Sequence, residues 1–330
     1  MGSDDNSRMT TDLPTATIDI NALQGATRLD DWGVIKAEGE DAKSFLHSQL
    51  TQDTLNLDSS YARLAGFCSA KGRLQASFIV WCTAPDVVYL ACSVDLLAPV
   101  LKRLSMFVLR AKCKLSDASQ QTALWGLAGE KTLALISDAT ALPAVWSISK
   151  SLQGTGIRLP DAQVNSLRLP RALWALDAGA DEPQLPRLEH AAWRWLEVKS
   201  GVARVTAATA EQFVPQMVNL ELVGGVNFQK GCFPGQEVIA RSQYRGTIKR
   251  RAFVMNSVEA AHPGQEVFSL LDPNQPAGMV VLAGSFEGRH NALVELKLSA
   301  LQGGDLHLGG ATGGQLSLDE MPYTIPTEAT

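Results

Sequence analysis

No run of the chain comes near the ~20 consecutive apolar residues that a membrane-spanning helix needs, so no helical membrane anchor is expected. Residues 1–16 are polar and carry Asp4, Asp5 and Asp12 where a secretory leader would have a basic and then an apolar stretch. They read as a disordered tail or a cloning remnant, and a cytoplasmic location is the default expectation. Cysteine is sparse: Cys68, Cys82, Cys92, Cys113 and Cys232 are odd in number and form no CxxC pair, which indicates neither a disulfide framework nor a zinc knuckle. His47, His190, His262, His290 and His307 share no metal-ligand spacing, so no metal is expected. P-loop, GxSxG, HExxH and strand-borne GxGxxG motifs are missing as well. The formal net charge of -5 argues against a surface given over to nucleic acid.

What remains is an ordinary globular composition, 45% hydrophobic and 19% charged, which is enough apolar side chain to build cores. At 330 residues the chain has room for two or three domains. Leu29–Ala37 reads as a strand, and Ala42, Phe45, Leu46 and Leu50 recur at helical spacing after Gly39-Glu40-Asp41. Residues 62–69 and 74–81 read as two strands joined at Lys71-Gly72-Arg73, with another strand at 87–92. A helix follows from Asp95, then strand character at 108–115 and 123–127. Residues 129–188 are poorly legible, with one strand expected near 173–176. Glu189–Lys199 reads as a helix stopped by Gly201. From Arg251 the pattern changes to short β-like runs separated by Pro-Gly, Asp-Pro and Gly-Gly turns, as in a small barrel. The expected domains are thus a body over 17–250, with an internal boundary near 118–188, and a β-barrel over 251–330.

The segment richest in chemistry is Asn227–Arg241. Gly231, Pro234 and Gly235 make a tight loop before a helix opening at Gln236, and a thiol there feels a positive helix end and Lys230 two residues away. Cys232 can therefore be a reactive thiolate or a ligand for metal or sulfur. It can equally be an inert cysteine packed in a glycine-rich turn, the commoner fate of the residue. Between Lys230 and Arg251 stand six basic residues, Lys230, Arg241, Arg245, Lys249, Arg250 and Arg251, against the single acid Glu237. Such a stripe suits an anion or an acidic partner, or it is a solvated helix face, with Arg250-Arg251 as interdomain salt-bridge partners.

The run Lys230-Gly231-Cys232-Phe233-Pro234-Gly235-Gln236-Glu237 resembles the K-G-C-F/Y-x-G-Q-E signature of the YgfZ-type folate-binding proteins, relatives of the glycine-cleavage aminomethyltransferase. Phe45–Asp53, Cys68–Arg73, Phe213–Leu220 and Arg241–Arg251 resemble other segments of that family, so the likeness runs from residue 29 to the end of the chain. It implies an α+β fold: a three-lobed ring of two α/β lobes and a small C-terminal β-barrel around a central folate-binding funnel. The cofactor implied is tetrahydrofolate or a derivative, held against Trp32 and Trp193 with Asn219 assisting. Trp195 lies on another helix face and is expected in the core.

The parent enzyme carries adjacent aspartates after a Gly-Gly turn, and here Gln75 and Ala76 stand at that point, so aminomethyl transfer is not implied and enzyme status stays open. The expected function is support of iron–sulfur enzymes, including tRNA-modifying ones, with Cys232 as thiol and Lys230 beside it. Arg241, Arg245, Lys249 and Arg250 would meet an anion or partner. The expected partners are folate, iron–sulfur proteins or assembly factors and, indirectly, tRNA, for a monomer. The alternatives are a folate-dependent one-carbon transferase acting on an amine and a direct tRNA binder.

Overall fold

The computed structural model describes residues 18–134, 142–151, 154–177, 179, 180, 182–246, 248–303 and 305–326. The tail expected over residues 1–16 lies outside them. In chain order the first elements are β1 (Gly25–Arg28), β2 (Trp32–Glu38), α1 (Ala42–Gln49), β3 (Arg63–Cys68), β4 (Leu74–Ala84), β5 (Val87–Ser93) and α2 (Val94–Ser105). Then come β6 (Lys114–Asp117), β7 (Thr122–Ala128), α3 (Glu130–Ala134), β8 (Ile148–Ser151), β9 (Gly154–Val164), β10 (Leu167–Asp177) and α4 (His190–Lys199). After α5 (Gln236–Tyr244), the last part holds β11 (Arg250–Ser257), β12 (Glu266–Ser269), β13 (Asp272–Phe286), β14 (Arg289–Lys297), α6 (Leu298–Leu301), β15 (Leu306–Leu308) and β16 (Gln315–Leu318).

Three β structures result, each paired antiparallel among these strands. One five-stranded sheet has the order β3-β4-β5-β2-β6 and another β1-β7-β10-β9-β8, while β11-β14-β13-β12-β15-β16 close into a barrel. The three-lobed α+β architecture expected from the sequence is the one observed. Consecutive strands β1 and β2 part company, β1 joining one sheet and β2 the other, so the turn at Asp30-Asp31 links the two lobes. β4 is buried from Leu74 to Cys82 without alternation, the mark of a strand covered on both faces.

The poorly legible stretch 129–188 contains a long hairpin, β9 with β10, whose ends meet at Val164 and Leu167. Its two turn residues, Asn165 and Ser166, have φ of 46° and 65°, as a two-residue hairpin with the twist of its strands requires. Glu287-Gly288 repeats the device between β13 and β14, with φ of 48° and 73°. The strand expected at 108–115 is not formed as such. Residues 106–111 close local turns, with Phe107 donating to Leu104 O and Ala111 to Val108 O, and the strand begins only at Lys114. Leu109 sits at φ 38° and is 89% exposed, so neither its conformation nor its surroundings belong to a ladder.

Helix α4 joins the lobes. It packs on β1 and β9 of one sheet and crosses β13 and β14 of the barrel. Trp193 points at the sheet, where a Cβ on Gly126 would come within 2.5 Å of its ring. Trp195 turns to the barrel and donates through Nε1 to Asn291 Oδ1 at 2.7 Å. Beyond β16 the chain runs back to the body: Asp319 takes the Lys199 ammonium at 2.5 Å, and Tyr323 donates to Gly201 O at 2.8 Å. At the crossing, a Cβ on Gly284 would stand 2.6 Å from Trp195 Cα, against rigid backbone. Gly284→Ala is therefore expected to lower the unfolding free energy by about 1–3 kcal/mol. Gly310, with nothing within 4 Å of its Cβ position, serves as the control. Gly310→Ala should stay within about 0.5 kcal/mol in the same urea titration.

Candidate functional site

Between the two sheets lies a pocket lined by Trp32 from β2, Ser77 from β4, Arg171 from β10, Trp193 and Glu197 from α4, and Arg204 from the segment after α4. Helical spacing accounts for one pair: Trp193 and Glu197 are four residues apart, hence on one face of α4. The left-handed Gly201, φ 64°, ends the helix and returns the chain so that Arg204 faces Glu197.

The centre of the pocket wall is a buried charge cluster. Arg204, 7% exposed, donates to Asp31 Oδ2 at 2.8 Å and Glu197 Oε2 at 3.1 Å, and its guanidinium lies 4.9 Å from the centre of the Trp32 ring. Burial alone would lower the Arg204 pKa, but Glu197 and Asp31 outweigh it and raise it. Burial would likewise raise the Asp31 carboxyl, yet Arg204 and the His190 imidazole 3.1 Å away hold it below its ordinary value. Arg171 lies 5.2 Å from the centre of the Trp193 ring and donates to Pro160 O. Burial pushes its pKa down to about 10, which leaves it charged at neutral pH.

The polar balance of this pocket is incomplete. Trp32 Nε1, Trp193 Nε1 and Arg204 Nε are buried and have no hydrogen-bond partner among the described residues. Buried N–H groups are ordinarily paired, at a cost of about 1–3 kcal/mol when they are not. Three such donors around two indole faces and one carboxylate suit a flat heterocycle carrying acceptors and donors on its edge. Of the predicted cofactor residues, Trp32 and Trp193 come together here. Asn219 does not line the pocket: it is fully buried, left-handed at φ 57°, and donates to Ala252 O and the Tyr323 hydroxyl at the barrel junction. Its amide is committed to joining body and barrel. Glu197, Arg204 and Arg171 were not singled out by the sequence reading, though the four-residue spacing from Trp193 was a usable signal for Glu197.

Cys232 belongs to a second place, the loop before α5, and is exposed. Lys230 folds beneath this loop. Its ammonium donates to His47 O and to Leu50 O at 2.9 Å, two carbonyls at the C-terminal end of α1, and lies 4.7 Å from the centre of the Phe233 ring. Burial pushes the Lys230 pKa down to about 8. Lys230 is thus the clamp that fixes the loop on α1. Of the remaining cysteines, Cys68 and Cys92 are inert by position: burial drives Cys68 far above the usual thiol range and Cys92 up to about 12.

The basic stripe divides. Arg241, Arg245 and Lys249 are exposed on and after α5. Arg250, expected at an anion or partner, is instead paired with the buried Glu295 of the neighbouring strand β14, and Arg251 is paired with Glu221 of the body. A carboxylate buried in the barrel wall needs a cation; the register sets Ala252 opposite Glu295, and Arg250, two residues along on the same face, reaches it diagonally. Gln75, at the point where a catalytic acid would stand in the aminomethyltransferases, is buried, and its amide donates to the Glu211 carboxylate.

No family model matches the chain. It is 27% identical over 313 residues to the tRNA-modifying protein YgfZ of Photobacterium profundum, covering 90% of this chain and 91% of the relative. It is 29% identical over 327 residues to the protein of that name from Edwardsiella ictaluri, covering 90% and 92%. Among solved structures it resembles the glycine cleavage system aminomethyltransferase T from Bartonella henselae, with a TM-score of 0.69 at 15% identity over 91% of this chain and 86% of the other. The resemblance to the YgfZ type and the aminomethyltransferase fold, both expected from the sequence, are borne out.

The Asp31 pairing carries a sign. A carboxyl held low in the folded protein contributes stability above its unfolded pKa and loses it as the pH falls through the folded one. Asp31→Asn should therefore cost about 1–3 kcal/mol at pH 7. The gap to wild type should shrink below about pH 4 in urea titrations run across pH. A gap that does not change with pH would rule out the ionic pairing.

Proposed function

We propose that the chain is a cytoplasmic, monomeric folate-binding protein that supports tRNA modification by sustaining iron–sulfur enzymes. Tetrahydrofolate or a derivative would lie between Trp32 and Trp193, and Cys232 would supply a thiol. The observation that carries the folate reading is the set of orphaned buried donors, Trp32 Nε1, Trp193 Nε1 and Arg204 Nε, around a pocket that also presents Glu197. A pterin offers what this set lacks: ring and carbonyl acceptors for the N–H groups, and an amino and ring N–H edge for a carboxylate. Glu197 would accept from that edge, Arg204 would hold the Glu197 carboxylate in place, and the Trp32 and Trp193 faces would exclude water from the ring. When bound, the folate would contribute a ring that carries one-carbon units. The aminomethyltransferase fold supports the same ligand class, and the name of the YgfZ relatives supports the link to tRNA modification. Gln75 and Ala76 weigh against aminomethyl transfer, since neither exchanges a proton near neutral pH.

The iron–sulfur part rests on the exposed Cys232 in its resemblance motif, and it has its own test. In a strain lacking the protein, Cys232→Ala should fail to restore the activity of iron–sulfur enzymes. Full restoration would remove the thiol from the function. For the folate part, titration of the purified protein with 5-formyltetrahydrofolate should give saturable quenching of tryptophan fluorescence. Trp32→Ala and Glu197→Gln should each weaken the binding at least about ten-fold, the equivalent of ~1.4 kcal/mol. Trp193→Ala should weaken it too where that variant folds. No binding by the intact protein would sink the folate reading.

A further inference from the structure

Beside the thiol loop is a pair of side chains that the function proposed above does not use. His47, on α1, has Nδ1 3.1 Å from Asp53 Oδ1. Asp53 also accepts from Leu55 N at 2.9 Å and from the Asn56 amide at 2.6 Å, and these bonds hold its carboxyl ionised, below its ordinary pKa, against the opposing effect of burial. An ionised carboxylate only accepts hydrogen bonds, so the proton of the His47–Asp53 bond sits on Nδ1. The neutral ring then carries its lone pair on Nε2. Burial first, and Lys230 second, lower the His47 pKa, so the ring is neutral at pH 7.

That lone pair faces the loop. A Cβ built on Gly231 would lie 3.5 Å from His47 Nε2, and the next residue is the exposed Cys232. The register of loop on helix is held by Lys230, whose ammonium grips the carbonyl of His47 itself and lies close enough to Cys232 for the thiolate to raise its pKa. We propose that Cys232, His47 and Asp53 form a thiol-activating triad, in which His47 Nε2 takes the Cys232 proton and Asp53 orients the imidazole and stabilises the imidazolium. The S–H bond breaks, the proton passes to Nε2, and the electron pair stays on Sγ as a thiolate. With an alkyl iodide the thiolate forms the S–C bond and iodide leaves. His47 and Asp53 are positioning and base residues for the thiol. The inference rests on the reactive-thiol part of the proposed function and not on folate binding.

The test is alkylation of the full-length protein by iodoacetamide from pH 5.5 to 9.5, followed at each cysteine by peptide mass spectrometry. It needs neither folate nor a partner, so its failure would leave folate binding standing. Cys68 and Cys92, both buried, report folding within the same experiment, because they react only when the protein opens. The charged groups acting on the imidazole are Lys230 from the loop and Asp53 from the turn after α1. In His47→Gln, and in Asp53→Asn, alkylation of Cys232 at pH 7 should slow at least about ten-fold, with its profile moved to higher pH by about one unit. A wild-type rate and profile in a folded His47→Gln overturns the proposal. Should these variants expose Cys68, the NMR titration of His47 decides instead, wild type against Cys232→Ser. A midpoint shifted upward by the thiolate supports the triad, and superimposable curves overturn it.

Discussion

The guanidinium of Arg204 is the constraint on which the centre of the molecule depends. A cation taken out of water must be met by ionised partners, or burial costs more than packing returns. Here those partners are Asp31, from the turn that carries the chain from one sheet to the other, and Glu197, from the helix that joins the sheets to the barrel. Ser93, at the end of β5, contributes its hydroxyl at 3.3 Å. Three separate stretches of chain converge on one side chain. Because Glu197 shares a helix face with Trp193, the same convergence sets the indole on its side of the pocket, while the guanidinium itself backs the Trp32 ring. The arrangement that stabilises the junction is thus also the one that shapes the pocket.

A second junction, between body and barrel, is built with the same economy. Trp195 meets Asn291, Lys199 and Asn291 share Asp319, Arg251 meets Glu221, and Asn219 reaches Ala252 O and Tyr323. Most of these groups are buried, and each has a partner on the other side of the boundary, so body and barrel desolvate these side chains mainly in matched pairs, with Glu221 Oε2 left without a partner among the described residues. Two of the residues with an expected functional role, Asn219 and Arg250, are absorbed into structural pairs, one at this junction and one within the barrel wall. The exposed remnant of the basic stripe, Arg241, Arg245 and Lys249, sits on α5, which follows the thiol loop, and on the segment leading from it into the barrel.

Legibility followed periodicity and turn chemistry. α1, α2 and α4 were readable because their apolar residues recur at helical spacing between a recognisable start and stop, and the barrel because glycine and proline punctuate its strands. The hairpin of β9 and β10 was not, since its turn places Asn165 and Ser166 at positive φ with no glycine to announce it, and its strands alternate poorly. The start of the run 108–115 misled for the opposite reason: it has the composition of a strand, but local turns satisfy its backbone and Leu109 faces solvent.

The sequence by itself determined the fold class, the tryptophans and the thiol motif, because these are carried by residue types at short spacings along one segment. It also determined that no acid stands at Gln75 or Ala76. The tertiary structure alone decided which polar groups meet. Arg204 with Asp31 spans 173 positions, Lys230 with Leu50 spans 180, and Arg73 with Gln212 spans 139. No local pattern marks such partners, since a side chain's role as ligand, clamp or base is set by what burial brings against it, and burial is a property of the folded chain.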